Sequence, residues 1–147
     1  MMTKDYPEIM KWSKLLSFLE DYPLAHVATI DNDRPHVRIM ALILHEGKLW
    51  LTTQTHWNKV EEIAKNNNIE LSVGIRGQKG NGAARISRKA VRIDDYKIRK
   101  SLSEVIPWFA DYWSSYDSEQ FCLYRIEPNR ALVDHPDNRL KYHVDEF

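Results

Sequence analysis

The segment Leu24–Val73 constrains the fold most, because three apolar, β-rich runs in it are separated by short polar turns. Asp31–Pro35 and His45–Lys48 are rich in Asp, Asn, Gly and Pro, the residues that turns prefer. Strands joined by such short turns are antiparallel neighbours, so the segment predicts a β-meander. The predicted strands are Leu24–Ile30, His36–Leu44 and Leu49–Thr53.

The rest of the chain adds short strands and a few helices. Apolar residues at helical spacing predict helices over residues 5–20, 58–66 and 94–105. Further strands are predicted at Ile69–Ile75, Ala83–Ile93 and Phe121–Ile126, with Ala131–Val133 as an optional seventh. Short strands with turns between them favour a mainly β fold with peripheral helices, a small antiparallel barrel of six to seven strands.

Length and composition limit the class of protein. At 147 residues, the chain is expected to form a single domain, residues 1–147. Its 21 basic residues balance its 21 acidic residues, so we expect no nucleic-acid partner. No apolar run approaches the roughly 20 residues that cross a bilayer, so no membrane association is expected. A single cysteine, Cys122, fits a reducing compartment, so we expect a cytoplasmic protein.

Several polar residues are candidates for a binding site. Arg38 lies on an otherwise apolar strand, where a charge needs a partner, either an anionic ligand or a structural ion pair. Lys59 lies in the first turn of a predicted helix, a position that favours anions. His26, His36 and His56 lack a Glu or Cys at ligand spacing, so no metal site is predicted.

The aromatic run Trp108–Trp113 has three possible roles: core packing, a subunit interface, or a wall against a ligand. We favour the interface interpretation, because such clusters often mark contacts between subunits.

Taken together, these stretches resemble the pyridoxamine 5'-phosphate oxidase-like family of FMN-binding split barrels. The resemblance covers about residues 24–133 and rests on the order and spacing of its pieces. They are Leu24–Ile30 followed by DNDRPHVR, the strand LWLTT, the helix start NKV, and the late segments ARISRKA and YRIEP.

The resemblance implies a split barrel, a homodimer, and an FMN in a groove between the two subunits. By this match, Arg38 and Lys59 contact the FMN phosphate, and Asn58 precedes that lysine. The strand backbone at Ile39, Met40 and Ala41 runs beside the flavin ring. Thr52 and Thr53 match the strand-end pair that contacts the flavin, and Arg139 matches an arginine that contacts the substrate.

This chain departs from authentic pyridoxamine phosphate oxidases at several of their binding positions. Asn58 replaces an arginine, Ile43 replaces a lysine that holds the substrate phosphate, and Lys141 replaces a histidine in the tail. We therefore expect a divergent member that does not carry out the vitamin B6 oxidase reaction.

The function implied is that of an FMN-dependent oxidoreductase, in which the flavin transfers hydride or electrons to an unknown small molecule. No residue of the sequence is nominated as a catalytic acid or base. Two alternatives stay open. One is an electron-transfer or sensor protein that binds FMN without a substrate, and the other is a haem-binding or deazaflavin-using relative.

Overall fold

The computed structural model describes residues 2–147 and contains nine strands and four α-helices in this part of the chain. The strands are β1 (Glu8–Ile9), β2 (Leu24–Asp31), β3 (Arg34–Ala41), β4 (Ile43–His45), β5 (Lys48–Gln54), β6 (Asn68–Arg76), β7 (Asn81–Arg92), β8 (Phe121–Asp134) and β9 (Lys141–Val144). The helices are α1 (Trp12–Ser17), α2 (Asn58–Lys65), α3 (Tyr96–Val105) and α4 (Phe109–Tyr112), and Met2–Asp5 forms a 3-10 turn.

Tight turns set the register of the two early hairpins. The β2–β3 hairpin pairs Asp31 with Arg34, and Asn32 between them has a φ of +58°. The β4–β5 hairpin pairs His45 with Lys48 across Glu46 and Gly47, whose φ angles of +53° and +71° are both positive. Two positive φ values in a two-residue turn match the twist of the strands on either side. The two predicted hairpins are therefore present, but the predicted middle strand, His36–Leu44, is divided into β3 and β4, so the three strands do not form one continuous meander.

The strands form one sheet in the order β1-β9-β8-β7-β6-β2-β3, and β5 joins it by pairing with β8 and with β4. Every pairing is antiparallel except that of β1 with β9. Because β3 is the last strand of this order, one of its backbone edges is free of sheet pairing.

The protein buries two apolar cores, one on each side of β5 and β8. The inner core lies within the curved sheet, and α2 covers it with Val60 and Ile63. The outer core lies between β5, β8 and the helices α3 and α4. It contains Ile43, Trp50, Ile93, Leu102, Ile106, Phe109, Trp113, Phe121 and Leu123. The curved sheet, its inner core and the peripheral helices are those of a mainly β split barrel, as predicted.

The strand count of six to seven was too low. The structure has nine strands, because β1 and β9 pair with partners far away in sequence and β4 is separate from β3. The predicted sixth and seventh strands are instead one continuous strand, β8.

The first predicted helix was also wrong in extent. Residues 5–20 contain only the six-residue α1, and Glu8–Ile9 is a strand paired with Tyr142–His143. Ile9, which the helical spacing placed on the core face, is 69% exposed.

None of the helices that the structure describes is both long and apolar enough to span a bilayer.

Candidate functional site

A cavity of about 370 Å³ opens where β3, β5, the start of α2 and α4 meet. Its size falls within the range of small-molecule and cofactor sites. Its lining residues are Ile39, Met40, Ala41, Thr52, Thr53, Gln54, Trp57, Lys59, Trp108, Asp111, Tyr112 and Trp113.

The cavity brings together six of the eight residues predicted to bind the cofactor. These are Ile39, Met40, Ala41, Thr52, Thr53 and Lys59. Arg38 and Asn58 do not line it. Arg139, the predicted substrate residue, is exposed in the turn between β8 and β9, with a φ of +61°, and it does not line the cavity of the same chain either.

Thr53 presents the one buried polar group of the cavity that has no partner. The residue is 3% exposed, and its Oγ1 hydroxyl makes no hydrogen bond to any residue that the structure describes. A buried hydroxyl without a partner costs free energy, so such groups usually have a bound ligand or water as partner. This hydroxyl therefore fits a polar ligand in the cavity.

Lys59 adds a cation on the α2 side of the cavity. It lies in the first turn of α2, and no side chain caps the N-terminus of that helix. Its Nζ lies 4.6 Å from the centre of the Trp57 ring. Burial and then the nearby charge of Arg38 lower the pKa of Lys59. An ammonium group at an uncapped helix N-terminus is suited to holding an anionic group.

Arg38 is held by a buried carboxylate behind the cavity. Its Nη2 donates to Glu62 Oε2 at 2.6 Å, and its Nη1 donates to Thr29 Oγ1 at 2.7 Å. Thr29 Oγ1 in turn donates to the same Glu62 oxygen at 2.9 Å. The structure therefore contains the structural ion pair that the sequence left open as one of the two explanations for Arg38.

Glu62 joins three elements through this network. It is 7% exposed, and its second oxygen, Oε1, lies 2.6 Å from His36 Nδ1. Burial by itself raises the pKa of this carboxyl. The hydrogen bonds from His36, Thr29 and Arg38 outweigh burial and hold the pKa below its ordinary value.

Asp31 lies close to His36 and Glu62, and the three residues have possible metal-ligand atoms within 4.8 Å of one another. The Arg38 guanidinium, 2.6 Å from the Glu62 carboxylate, disfavours a cation at this point.

The structure divides the aromatic run Trp108–Trp113 between two roles. Phe109 and Trp113 belong to the outer core, where their rings lie 4.9 and 4.8 Å from the Phe121 ring. Trp108 and Tyr112 line the cavity, and Trp113 lines it as well. Core packing and a ligand wall are thus both present in this run.

Buried Arg99 on α3 fixes the chain segment between this run and β8. Its guanidinium donates to the carbonyl oxygens of Tyr116, Ser118 and Phe121 at 3.0, 3.1 and 2.8 Å. Trp113 is held in addition by β5, because its Nε1 donates to Gln54 Oε1 at 3.0 Å. These hydrogen bonds of Arg99 and Trp113 therefore support the aromatic wall of the cavity.

Sequence reasoning did not assign Gln54, Trp57 or Asp111 to the cavity. Trp57 directly precedes α2, and Asp111 has the spacing that places it on one helix face with Trp108 and Tyr112. Trp57 and Asp111 could therefore have been predicted from the sequence. Glu62 carried no such signal, because its partners lie on β2 and β3.

The sequence profile of the pyridoxamine 5'-phosphate oxidase family matches residues 12–133, which include β2 to β7 and nearly all of β8. The chain belongs to this family. A search of curated protein sequences found no match.

Solved structures share the fold of this family member. A candidate pyridoxamine 5'-phosphate oxidase from Listeria innocua superposes with a TM-score of 0.69 at 25% identity, over 83% of this chain and 96% of that one. A FAD-binding protein from Mesorhizobium loti has a TM-score of 0.65 at 15% identity, over 83% and 90% of the two chains. A heme-binding protein from Mycobacterium smegmatis has a TM-score of 0.66 at 11% identity, over 81% and 51%.

As a family, the pyridoxamine 5'-phosphate oxidase-like proteins hold a flavin or another cofactor on this fold. The cavity described above fits such a group, because it combines an unpartnered buried hydroxyl, a lysine at a helix start and aromatic walls.

Proposed function

We propose that this protein is an FMN-binding oxidoreductase whose flavin occupies the cavity between β3, β5, α2 and α4, at the interface of a homodimer. The observation that carries the proposal is the buried Oγ1 of Thr53, which has no partner among the described residues and lines the same cavity as Lys59. Membership of the family and the FAD-binding relative with the same fold support a flavin as the ligand.

The phosphate of FMN would lie at the start of α2. Lys59 and the free N–H groups of the first helical turn supply positive charge and hydrogen-bond donors there. A phosphate dianion would offset the two effects that lower the pKa of Lys59, its burial and the charge of Arg38.

Arg38 can contribute to the same phosphate. A guanidinium carries five N–H donors, and Arg38 uses two of them on Thr29 and Glu62. Three donors stay available. In this proposal Glu62 and Thr29 orient the guanidinium, and Arg38 contacts the phosphate with the remaining donors. Asn58 would stand at the helix start, where it adds no charge.

The flavin ring would lie against the backbone of Ile39, Met40 and Ala41. These residues are on the strand whose outer edge is unpaired, so backbone groups are available to a ring with hydrogen-bonding edges. Thr52 and Thr53 would face the ring from β5, and the tryptophans of the wall would exclude water. When bound, the flavin supplies hydride or electron transfer.

The homodimer explains apolar surface next to the cavity. Leu24, Val37 and Ile39 are 67%, 64% and 61% exposed, and register places Leu24 and Ile39 on neighbouring strands. Large exposed apolar side chains that lie together usually mark an interaction surface. The second subunit is also required if Arg139 is to contact a substrate, because Arg139 is remote from the cavity within one chain.

The test is a titration of flavin-free protein with FMN, in which binding is measured by the quenching of flavin fluorescence. The titration is repeated with riboflavin, which lacks the phosphate. We expect saturation at one FMN per chain and weaker binding of riboflavin. Lys59→Ala should weaken FMN binding by about 1.5–3 kcal/mol, roughly ten- to 150-fold, because one charge-assisted contact is lost, and should leave riboflavin binding little changed.

The matched control is Lys65→Ala, at the other end of α2 and outside the cavity. It should bind FMN as the wild type does. Failure of the wild-type protein to bind FMN, or equal binding of FMN by all three proteins, would contradict the proposal.

Absorbance spectra of the purified protein separate the other cofactors. A Soret band would favour a haem protein, like the Mycobacterium smegmatis relative with the same fold. Oxidised-flavin absorbance together with no turnover of any tested reductant–acceptor pair would favour an electron carrier or sensor.

A further inference from the structure

One face of α4, together with the preceding residue Trp108, lines the cavity, and the proposed flavin contacts use none of its polar groups. Asp111 and Tyr112 lie three and four residues after Trp108, which places all three on one side of a helical turn. All three line the cavity. Phe109 and Trp113 anchor the turn against Phe121, and Trp113 also lines the cavity.

Asp111 provides a negative charge on this face. Its side chain is exposed, and it makes no ion pair and no side-chain hydrogen bond with any residue between 2 and 147. The helix that carries it is held in place, because it is packed through Phe109 and through Trp113, which also donates to Gln54. The Asp111 carboxylate, which has no protein partner among the described residues, is available to a ligand in the cavity.

Asp111 shares the cavity with several aromatic side chains. Trp57, Trp108 and Tyr112 line the same cavity, and Trp57 already holds a cation, the Lys59 ammonium, 4.6 Å from its ring centre. Aromatic faces attract cations through their quadrupole, most strongly in a tryptophan, and a nearby carboxylate adds to that attraction.

We propose that this α4 face selects a planar, positively charged nitrogen compound, such as a protonated amine on a ring or a heteroaromatic ring alkylated on nitrogen. Its role as the redox substrate rests on the proposed flavin function, whereas its binding to the α4 face does not. Lys59 would repel such a ligand from the α2 end of the cavity. The cation is therefore directed to the Asp111 end, and a phosphate held by Lys59 would reduce that repulsion.

Three ligands of one ring shape test the charge preference: nicotinamide methylated on its ring nitrogen, nicotinamide and nicotinate. They are cationic, neutral and anionic at neutral pH. Each is titrated by calorimetry into the full chain, with and without FMN. We expect the cation to bind about three- to tenfold more tightly than neutral nicotinamide, with nicotinate the weakest.

Asp111→Asn keeps the size of the side chain and removes its charge, so the preference for the cation should fall to less than about twofold. Glu104→Gln is the matched control, because Glu104 is an exposed carboxylate on α3 outside the cavity. It should retain the wild-type preference.

The proposal is overturned if the three ligands bind equally, if the cation does not bind at millimolar concentration, or if Asp111→Asn retains the preference. The flavin-free titrations keep this result separate from the flavin function. A protein that fails to take up FMN but prefers the cation refutes only the proposed function. A protein that binds FMN without the preference refutes only this inference.

Discussion

At the scale of single residues, Glu62 shows how the protein stabilises a carboxylate that is buried away from solvent. The carboxylate accepts hydrogen bonds from Thr29 on β2 and Arg38 on β3, and its other oxygen contacts His36. A buried carboxylate is costly unless such partners are present, so the three contacts are what make the position tolerable. The network also ties α2 to the strands beside the cavity.

The pKa of Glu62 gives a prediction for acid stability. Because the folded-state pKa lies below the ordinary value of 4.5, ionised Glu62 stabilises the fold above that pH. This contribution is lost as the pH falls through the folded-state pKa. Glu62→Gln should reduce the free energy of unfolding by about 1–3 kcal/mol near neutral pH, and the difference from wild type should shrink below about pH 4.5.

Urea unfolding at a series of pH values measures this difference. Glu61→Gln, an exposed neighbour on the same helix, is the control and should stay within about 0.5 kcal/mol of wild type. A Glu62→Gln difference that is constant from neutral to acid pH would contradict the prediction.

At the candidate site, the family resemblance and not the local pattern singled out Thr52, Thr53 and Lys59. All three line the cavity, and their contact with a cofactor stays a prediction. The role of Glu62 could not be predicted from its neighbours in sequence, because its partners Arg38 and Thr29 lie 24 and 33 positions earlier in the chain. Helical periodicity placed Val60, Ile63 and Ala64 on one face of α2. Val60 and Ile63 are buried and Ala64 is exposed, and the periodicity gave no reason to bury Glu62.

At the scale of elements, Arg99 connects α3 to the segment that leads into β8. Its guanidinium donates to three carbonyl oxygens at or just before the start of β8, and it lies 4.6 Å from the Phe121 ring centre. Since Phe121 is also the base on which α4 packs, this arginine supports the aromatic wall of the cavity.

Arg99→Met tests that connection, because methionine keeps an unbranched apolar side chain but has no donors. We expect a loss of about 2–4 kcal/mol in the free energy of unfolding, since the buried carbonyl oxygen of Phe121 and the partly buried ones of Tyr116 and Ser118 lose a charged donor. The measurement is denaturant unfolding followed by tryptophan fluorescence. Lys100→Ala, on the exposed side of the same helix, should change it by less than about 0.5 kcal/mol, and an equal effect of both variants would contradict the role of Arg99.

Element prediction was accurate for hairpins and poor at the ends of the chain. Turns between neighbouring strands indicated the β2–β3 and β4–β5 hairpins directly, but not the pairing of β2 with β6 or of β5 with β8. The pairing of Glu8 with Tyr142 joins positions 134 residues apart, and β1 has only two residues, too few to show alternation. The apolar spacing of Ile9, Trp12 and Leu16 therefore suggested one long helix, and long-range pairing prevailed over that local pattern.

At the scale of the whole molecule, the exposed apolar side chains of β2 and β3 give a prediction for assembly. A charge placed in the middle of a subunit interface must lose its water without gaining a partner. Val37→Glu should therefore weaken the proposed homodimer at least about tenfold. Sedimentation velocity over a range of concentrations measures the dissociation constant.

Val105→Glu is the control for that experiment, because Val105 is 37% exposed and belongs to α3 rather than to β2 or β3. It should leave the dimer intact. A wild-type protein that stays monomeric at high concentration, or a Val37→Glu dimer as tight as the wild type, would contradict the assignment of this face.

The unpaired outer edge of β3 also bears on how the protein behaves during synthesis. Eight residues of strand, two of them apolar and more than 60% exposed, can accept backbone hydrogen bonds from any extended chain nearby. Newly made subunits that have not yet formed a dimer can therefore aggregate by pairing their β3 edges out of register. Expression at low temperature with abundant riboflavin should give more recoverable material, because both ligand and partner would cover that edge early.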